Sequence, residues 1–247
     1  MTMIKTEQIT YGDVNSELKF QGTISFDDES TSPRPGILVC HAYGGHSEFD
    51  IQKSEKLAEL GYFAFAMDLY GAGRRGNNPE ESMALMNEFN SDRVLLQERM
   101  IHAFNMLKNF DRVDKNKTGA IGFCFGGKCA LDLARAGEDV KGVVSFHGLY
   151  DAPTANPGKT LKGTTKISSS ILILHGYEDP MATPKNMIDL AEELKSKSAN
   201  WQIHAYSNVG HAFTNPNAGD RNSGLFYDQA ADEHSWQEMK NFFDLIF

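Results

Sequence analysis

Short apolar runs rich in β-branched residues recur along this chain, bounded by Gly, Pro, Asn or Asp and separated by longer segments with helical spacing. Few architectures accept that alternation. A parallel neighbour needs a crossover of a dozen or more residues, usually a helix, so the pattern predicts a mostly parallel α/β sheet with helices on both faces. Strands are expected at 8–11, 18–26, 37–41, 63–69, 119–124, 142–147, 171–175 and 201–207, which makes eight. The turn at 12–16 is too short for a crossover, so the first two strands should form an antiparallel N-terminal edge.

The helices between them are legible from periodicity. Leu96, Met100, Phe104 and Leu107 share one buried face. Thr183 and Pro184 mark the cap and first position of a helix that buries Met187, Leu190, Ala191 and Leu194. Trp236, Met239, Phe243 and Ile246 place a docked helix over 232–247. Two stretches break the alternation, 71–92 and 151–168, and read as loop or lid insertions that reach substrate. With 247 residues and no linker, a single domain over 1–247 is expected.

A formal charge of -9 disfavours nucleic acid and anionic membrane partners, which repel a net acidic protein at long range. The amino terminus lacks a signal-length apolar core, and no run approaches the roughly 18 to 20 apolar residues of a membrane span. Cys40, Cys124 and Cys129 are an odd number without paired spacing, which suits a reducing compartment. The expectation is a cytoplasmic monomer or homodimer acting on a small molecule.

The strongest local signal is Gly122-Phe123-Cys124-Phe125-Gly126-Gly127, between a strand and a helix carrying Ala130, Leu131 and Ala134. It reads as a nucleophile elbow with Cys in the place of Ser: a strained strand-to-helix turn exposes the nucleophile, and the glycines relieve crowding on either side. A helix N-terminus there favours the thiolate, and the Phe125 backbone N–H can serve an oxyanion. Asp179 and His211 each follow a later strand, in the chain order nucleophile, acid, histidine of α/β-hydrolases. Each piece also has a plainer reading: a small buried Cys in a phosphate-cradling turn, an Asp-Pro turn, an ordinary histidine.

These residues resemble the dienelactone hydrolase family, together with Asp68-Leu69-Tyr70-Gly71, the His-Gly-x-x-Asp segment ending at Asp179, and Gly210-His211-Ala212-Phe213. The resemblance covers most of the chain. It implies an α/β-hydrolase fold, Cys124 as nucleophile, His211 as base and Asp179 as the partner that orients it. It implies a second oxyanion N–H from the loop at 41–45, through Ala42 or Tyr43, and no cofactor. Two positions depart from the family pattern. Ala42 stands where a glutamate takes the thiol proton, and Asn215 lies near the place of an arginine that holds a substrate carboxylate. A substrate other than dienelactone is therefore expected, with His46 and Glu48 as further candidates to assist the thiol.

The reaction implied is cleavage of a carboxylic ester or lactone through a thioester on Cys124. Tyr43, Tyr70 and Phe123 are candidate substrate contacts, and Arg74 and Arg75 a candidate carboxylate grip. Core packing and a solvated loop pair are the alternatives. His41, His147 and His175 all follow strands but lack paired ligand spacing, so no metal is expected. A redox-sensing or non-catalytic protein, and an acyltransferase using the same cysteine, remain open.

Overall fold

The computed structural model describes residues 3–12, 17–163 and 165–247. Residues 13–16 of the expected first turn, Thr164 of the second insertion and the first two residues lie outside the described residues.

All eight expected strands form, as β1 (Ile4–Tyr11), β2 (Phe20–Asp27), β3 (Arg34–Cys40), β4 (Phe63–Ala66), β5 (Val113–Phe123), β6 (Gly142–Phe146), β7 (Ser170–Gly176) and β8 (Asn200–Tyr206). They make one sheet in the order β1-β2-β4-β3-β5-β6-β7-β8. β1 pairs antiparallel with β2, and β2 antiparallel with β4; every later pairing is parallel. The central strands are buried on both faces, which is why they read as continuous apolar runs. Along β3, Leu38 and Cys40 enter the core on one face and Ile37 and Val39 the core on the other.

Among the described residues, six helices cover the sheet: α1 (Glu48–Glu59), α2 (Pro79–Asn90), α3 (Arg93–Lys108), α4 (Phe125–Arg135), α5 (Pro184–Ser196) and α6 (Gln229–Ile246). Residues of α2, α3, α4 and α5 pack on one face, and residues of α1 and α6 on the other. Helix α5 starts as its sequence signals, with Thr183 at the cap and Pro184 in the first turn.

Three features differ from the sequence reading. Within 71–92, residues 79–90 form α2 rather than a loop. Asn78 accepts from the Glu81 N–H, Pro79 opens the helix and Glu80 and Glu81 face its positive end. The strand expected at 63–69 stops at Ala66. Asp68 ends it by accepting the N–H groups of Tyr70 and Gly71 on one carboxylate oxygen and that of Gln21 on the other. A two-stranded hairpin, β9 (Gly219–Asp220) with β10 (Leu225–Phe226), forms outside the main sheet.

The second insertion, 151–168, has no regular structure among its described residues. Its first residue is fixed by charge. Asp132, fully buried on α4, accepts from Arg93 Nε and Nη2 at 2.8 and 2.7 Å and from Arg135 Nη1 at 3.1 Å. Arg135 also pairs with Glu193 of α5 at 2.6 Å, while Asp151 bridges Arg93 and Lys128 at 2.6 and 2.7 Å. Three cations face three carboxylates, so no charge in the cluster is left uncompensated. Replacing Asp132 with Ala leaves three cations facing two carboxylates, with one buried positive charge uncompensated. We expect a loss of about 3 to 5 kcal/mol in denaturant unfolding; a change below about 1 kcal/mol would contradict this account of how α3, α4 and α5 are joined.

Candidate active site

The turn from β5 into α4 forces Cys124 into φ 56°, ψ -118°, a conformation that costs a non-glycine residue about 1 to 3 kcal/mol. Its neighbours hold it there. The Cys124 N–H donates to the Phe146 carbonyl at 3.1 Å, and the Cys124 carbonyl accepts from the Gly127 N–H at 3.0 Å. A Cβ on Gly122 would sit 2.0 Å from the Gly126 carbonyl oxygen, and one on Gly126 would sit 2.1 Å from the Cys40 carbonyl oxygen. Both glycines are thus required by close backbone approach. Of the three cysteines, all free thiols, Cys124 is the most accessible at 9% exposure, against 1% for Cys40 and 2% for Cys129.

His211 follows β8, and the hairpin β9–β10 fixes its main chain. Its N–H donates to the Gly224 carbonyl at 2.8 Å, and its carbonyl accepts from the Phe226 N–H at 3.1 Å. Its Nδ1 lies 2.7 Å from Asp179 Oδ2. Asp179 Oδ1 accepts the N–H groups of Met181 and Ala182 at 2.8 and 3.0 Å, so the carboxylate is committed on both oxygens. The remaining ring nitrogen, Nε2, is buried.

Burial alone would push the His211 pKa down. Negative charge on the Cys124 sulfur and the hydrogen bond to Asp179 outweigh burial and raise it to about 10. The charge on Cys124 raises the His211 pKa more than its hydrogen bond to the ring does, so we read the relation between the two side chains as mainly charge attraction.

Phe125 opens α4, so its N–H has no carbonyl upstream within the helix to bond. The loop carrying Ala42 and Tyr43 leaves β3 alongside that first turn, for the Gly126 position also abuts the His41 carbonyl. The loop that carries the residues expected to supply backbone N–H groups therefore runs beside the first turn after Cys124, and Tyr43 in it is half-buried.

Several of the expected substrate contacts have partners within the chain. Tyr70 is buried; its ring packs edge-on against His41 at 4.8 Å, and its hydroxyl donates to the Tyr43 carbonyl at 2.8 Å. Phe123 is buried in the α1–α6 core, stacked on Phe146 at 4.7 Å and edge-on to Phe49 at 5.0 Å. Arg75 is spent on Asp68 Oδ1 at 3.2 Å and on the His46 and Gln21 carbonyls. Arg74 pairs with Glu88 at 2.5 Å and donates to the Tyr70 carbonyl at 3.2 Å. Both arginines therefore serve the chain itself. His46 and Glu48 line a groove walled by β1, β2 and α1 whose lining does not include Cys124. Asn215 closes a local turn, donating its N–H to the Ala212 carbonyl and accepting from the Asn217 N–H.

The histidines after the strands have separate partners. His41 bridges the Leu69 N–H and the Ala42 carbonyl, and His175 Nδ1 lies 3.0 Å from the Tyr150 hydroxyl. His147 meets Thr214 Oγ1 at 2.9 Å, and its ring is edge-on to His211 at 5.1 Å. Burial, reinforced by repulsion from a charged His211, holds the His147 pKa well below the ordinary histidine value, so this neighbour stays neutral. Sequence reasoning passed over His147 as a buttress because its only local mark is its place after a strand.

A strained cysteine between strand and helix, with an Asp-oriented histidine from later strand ends, defines the α/β-hydrolase class. The comparisons narrow this. The profile of the dienelactone hydrolase family matches residues 20–247, and the chain belongs to that family. It is a carboxylic-ester hydrolase by that membership. Among solved structures, m3DLH is 31% identical with a TM-score of 0.90, covering 99% of both chains. The dienelactone hydrolase-like promiscuous phosphotriesterase P91, from metagenomic libraries, is 30% identical with a TM-score of 0.88, also over 99% of both. An Aquifex aeolicus protein named "Putative carboxymethylenebutenolidase" is 29% identical, covering 85% of this chain and 87% of its own.

A raised imidazole pKa means that the folded state keeps a proton the unfolded chain releases. The stabilisation is full below pH 6.5, the ordinary histidine value, and is lost as pH rises through about 10. In Cys124→Ala the sulfur charge is gone while burial persists, so the His211 ring should titrate at lower pH. An NMR titration of the imidazole reads this; an unchanged midpoint would contradict the charge attraction.

Proposed function

We propose that this chain hydrolyses a small uncharged carboxylic ester or lactone through a Cys124-His211-Asp179 triad and a thioester intermediate. The observation that carries the reading is the buried His211 ring, held at Nδ1 by Asp179 at 2.7 Å and acted on by the charge of Cys124.

The Cys124 sulfur attacks the carbonyl carbon, forming a C–S bond and an oxyanion that faces the backbone N–H groups of Phe125 and of the loop at Ala42 and Tyr43. The oxyanion collapses, the C–O bond to the alcohol breaks, and the imidazolium proton of His211 passes to the departing oxygen. Acylation removes the negative charge from sulfur and with it the main influence holding the His211 pKa up. Burial then lowers the pKa, and the neutral ring takes a proton from water as water attacks the thioester. The C–S bond breaks, the carboxylic acid leaves and the thiolate-imidazolium pair returns. One interaction thereby sets His211 as acid in the first half and base in the second.

A thiolate leaves a tetrahedral intermediate more readily than a simple alkoxide or an amine, so aryl esters and enol lactones should outrun amides. With Arg74 and Arg75 paired internally and Asn215 spent on a turn, an uncharged acyl group fits better than a carboxylate-bearing one. The reading carries a single domain and a cytoplasmic setting, for which three buried free thiols are the support. No described helix is long and apolar enough to cross a membrane.

Turnover of a neutral aryl ester tests the proposal. Wild type should release the phenol, and Cys124→Ala should lose activity by at least about 10³-fold; Asp179→Asn should retain less than about a tenth of the wild-type rate. Turnover undiminished in Cys124→Ala would overturn the proposal. An inert wild type that forms a reversible sulfenic acid with peroxide would make Cys124 a redox sensor instead.

A further inference from the structure

The loop after β3 carries three successive carbonyls, and each is tied. Ala42 O accepts from His41 Nδ1 at 2.7 Å and from the Gly45 N–H at 3.1 Å; Tyr43 O accepts from the Tyr70 hydroxyl at 2.8 Å; Gly44 O accepts from the Gly76 N–H at 3.1 Å. No peptide bond among the described residues is cis. In a trans peptide the carbonyl and the following N–H point in opposite directions. Anchoring Ala42 O therefore aims the Tyr43 N–H the other way, and anchoring Tyr43 O aims the Gly44 N–H.

The two side-chain anchors are themselves rigid. His41 Nε2 accepts the Leu69 N–H at 3.1 Å, which leaves the ring proton on Nδ1 to donate to Ala42. Burial lowers the pKa of His41 to about 4, so this tautomer persists across the neutral range. Tyr70 packs between His41 at 4.8 Å, Phe89 at 5.4 Å and Phe125 at 6.5 Å, the last of these being the residue that follows the nucleophile. Both rings are almost wholly removed from solvent, at 2% and 1% exposure.

We propose that His41 and Tyr70 are positioning residues for the oxyanion: through the Ala42 and Tyr43 carbonyls they aim the peptide N–H groups that receive the charge developing during attack by Cys124. This rests on the hydrolase reading above. It gives Tyr70, an expected substrate contact, and His41, weighed from sequence only as a metal ligand, a common place in the scaffold behind the loop. An N–H aimed before the substrate arrives needs no rearrangement as charge appears, which is where such donors gain their effect.

The test compares wild type with Tyr70→Phe, which keeps the ring and removes one hydroxyl. On a neutral aryl ester, kcat should fall about 10- to 100-fold with KM within about twofold, because only the transition state carries the charge. Alkylation of Cys124 by iodoacetamide passes through no oxyanion, so its rate should stay within about twofold of wild type. Equal losses in ester turnover and alkylation would assign Tyr70 a merely structural role and overturn the proposal, as would an undiminished kcat. His41→Asn, whose shorter side chain loosens the Ala42 carbonyl, is read in the same two assays and serves if Tyr70→Phe does not fold. An ester-inert wild type removes the hydrolase reading and this inference with it, whereas an active wild type with unaffected variants removes this inference alone.

Discussion

The first turn of α4 approaches the ends of β3 and β5 so closely that two side chains are forbidden. Gly126 meets the Cys40 carbonyl, and Gly122 meets the Gly126 carbonyl, at distances that leave no room for a Cβ. That contact turns the chain through Cys124, lifts its sulfur to the carboxyl edge of the sheet and sets it at a helix N-terminus. The same contact lays the 42–45 loop against the nucleophile. The strain at Cys124 is sustained by the pairings on either side, since β5 is bonded to both β3 and β6.

Around that fixed point the polar groups are matched by burial and charge. Asp179 is saturated by two backbone N–H groups and one imidazole, which leaves it no freedom except to orient His211. His211 sits where burial opposes its charge and the Cys124 sulfur favours it, so its proton affinity follows the state of the sulfur. Glutamate is absent from the Ala42 position, and the His41 and Tyr70 rings behind the loop act on carbonyls rather than on the thiol.

Much of this was legible in the sequence because it is local. The eight strands follow from apolar runs that short-range rules read well, and the elbow, Asp179 and His211 from residues placed just past strand ends. Helix α1 carries a local start signal that the sequence reading passed over: Ser47 and Asp50 form its start, Asp50 accepting from the Ser47 N–H and hydroxyl. The internal partners of the expected substrate contacts were not legible, for one shared cause. Sequence shows that Phe123 adjoins the elbow and that Tyr70 and Arg75 follow the strand ending near 69, but not which face of the sheet or which distant carbonyl each one meets. Phe123 alternates onto the α1–α6 side, Arg75 closes on Asp68, and Tyr70 reaches across 27 residues to Tyr43. The hairpin that pins His211 is equally non-local, since its strands are two residues long and carry no periodicity.

The central claim is covalent catalysis by Cys124, and the most direct measurement is mass spectrometry of wild-type protein quenched in acid during turnover of an aryl ester with a branched, slowly hydrolysed acyl group. The account predicts a mass increase equal to that acyl group on the peptide containing Cys124, appearing within the first turnover and vanishing once the ester is consumed. Turnover without an adduct on that peptide, or with the acyl group on another residue, would contradict it.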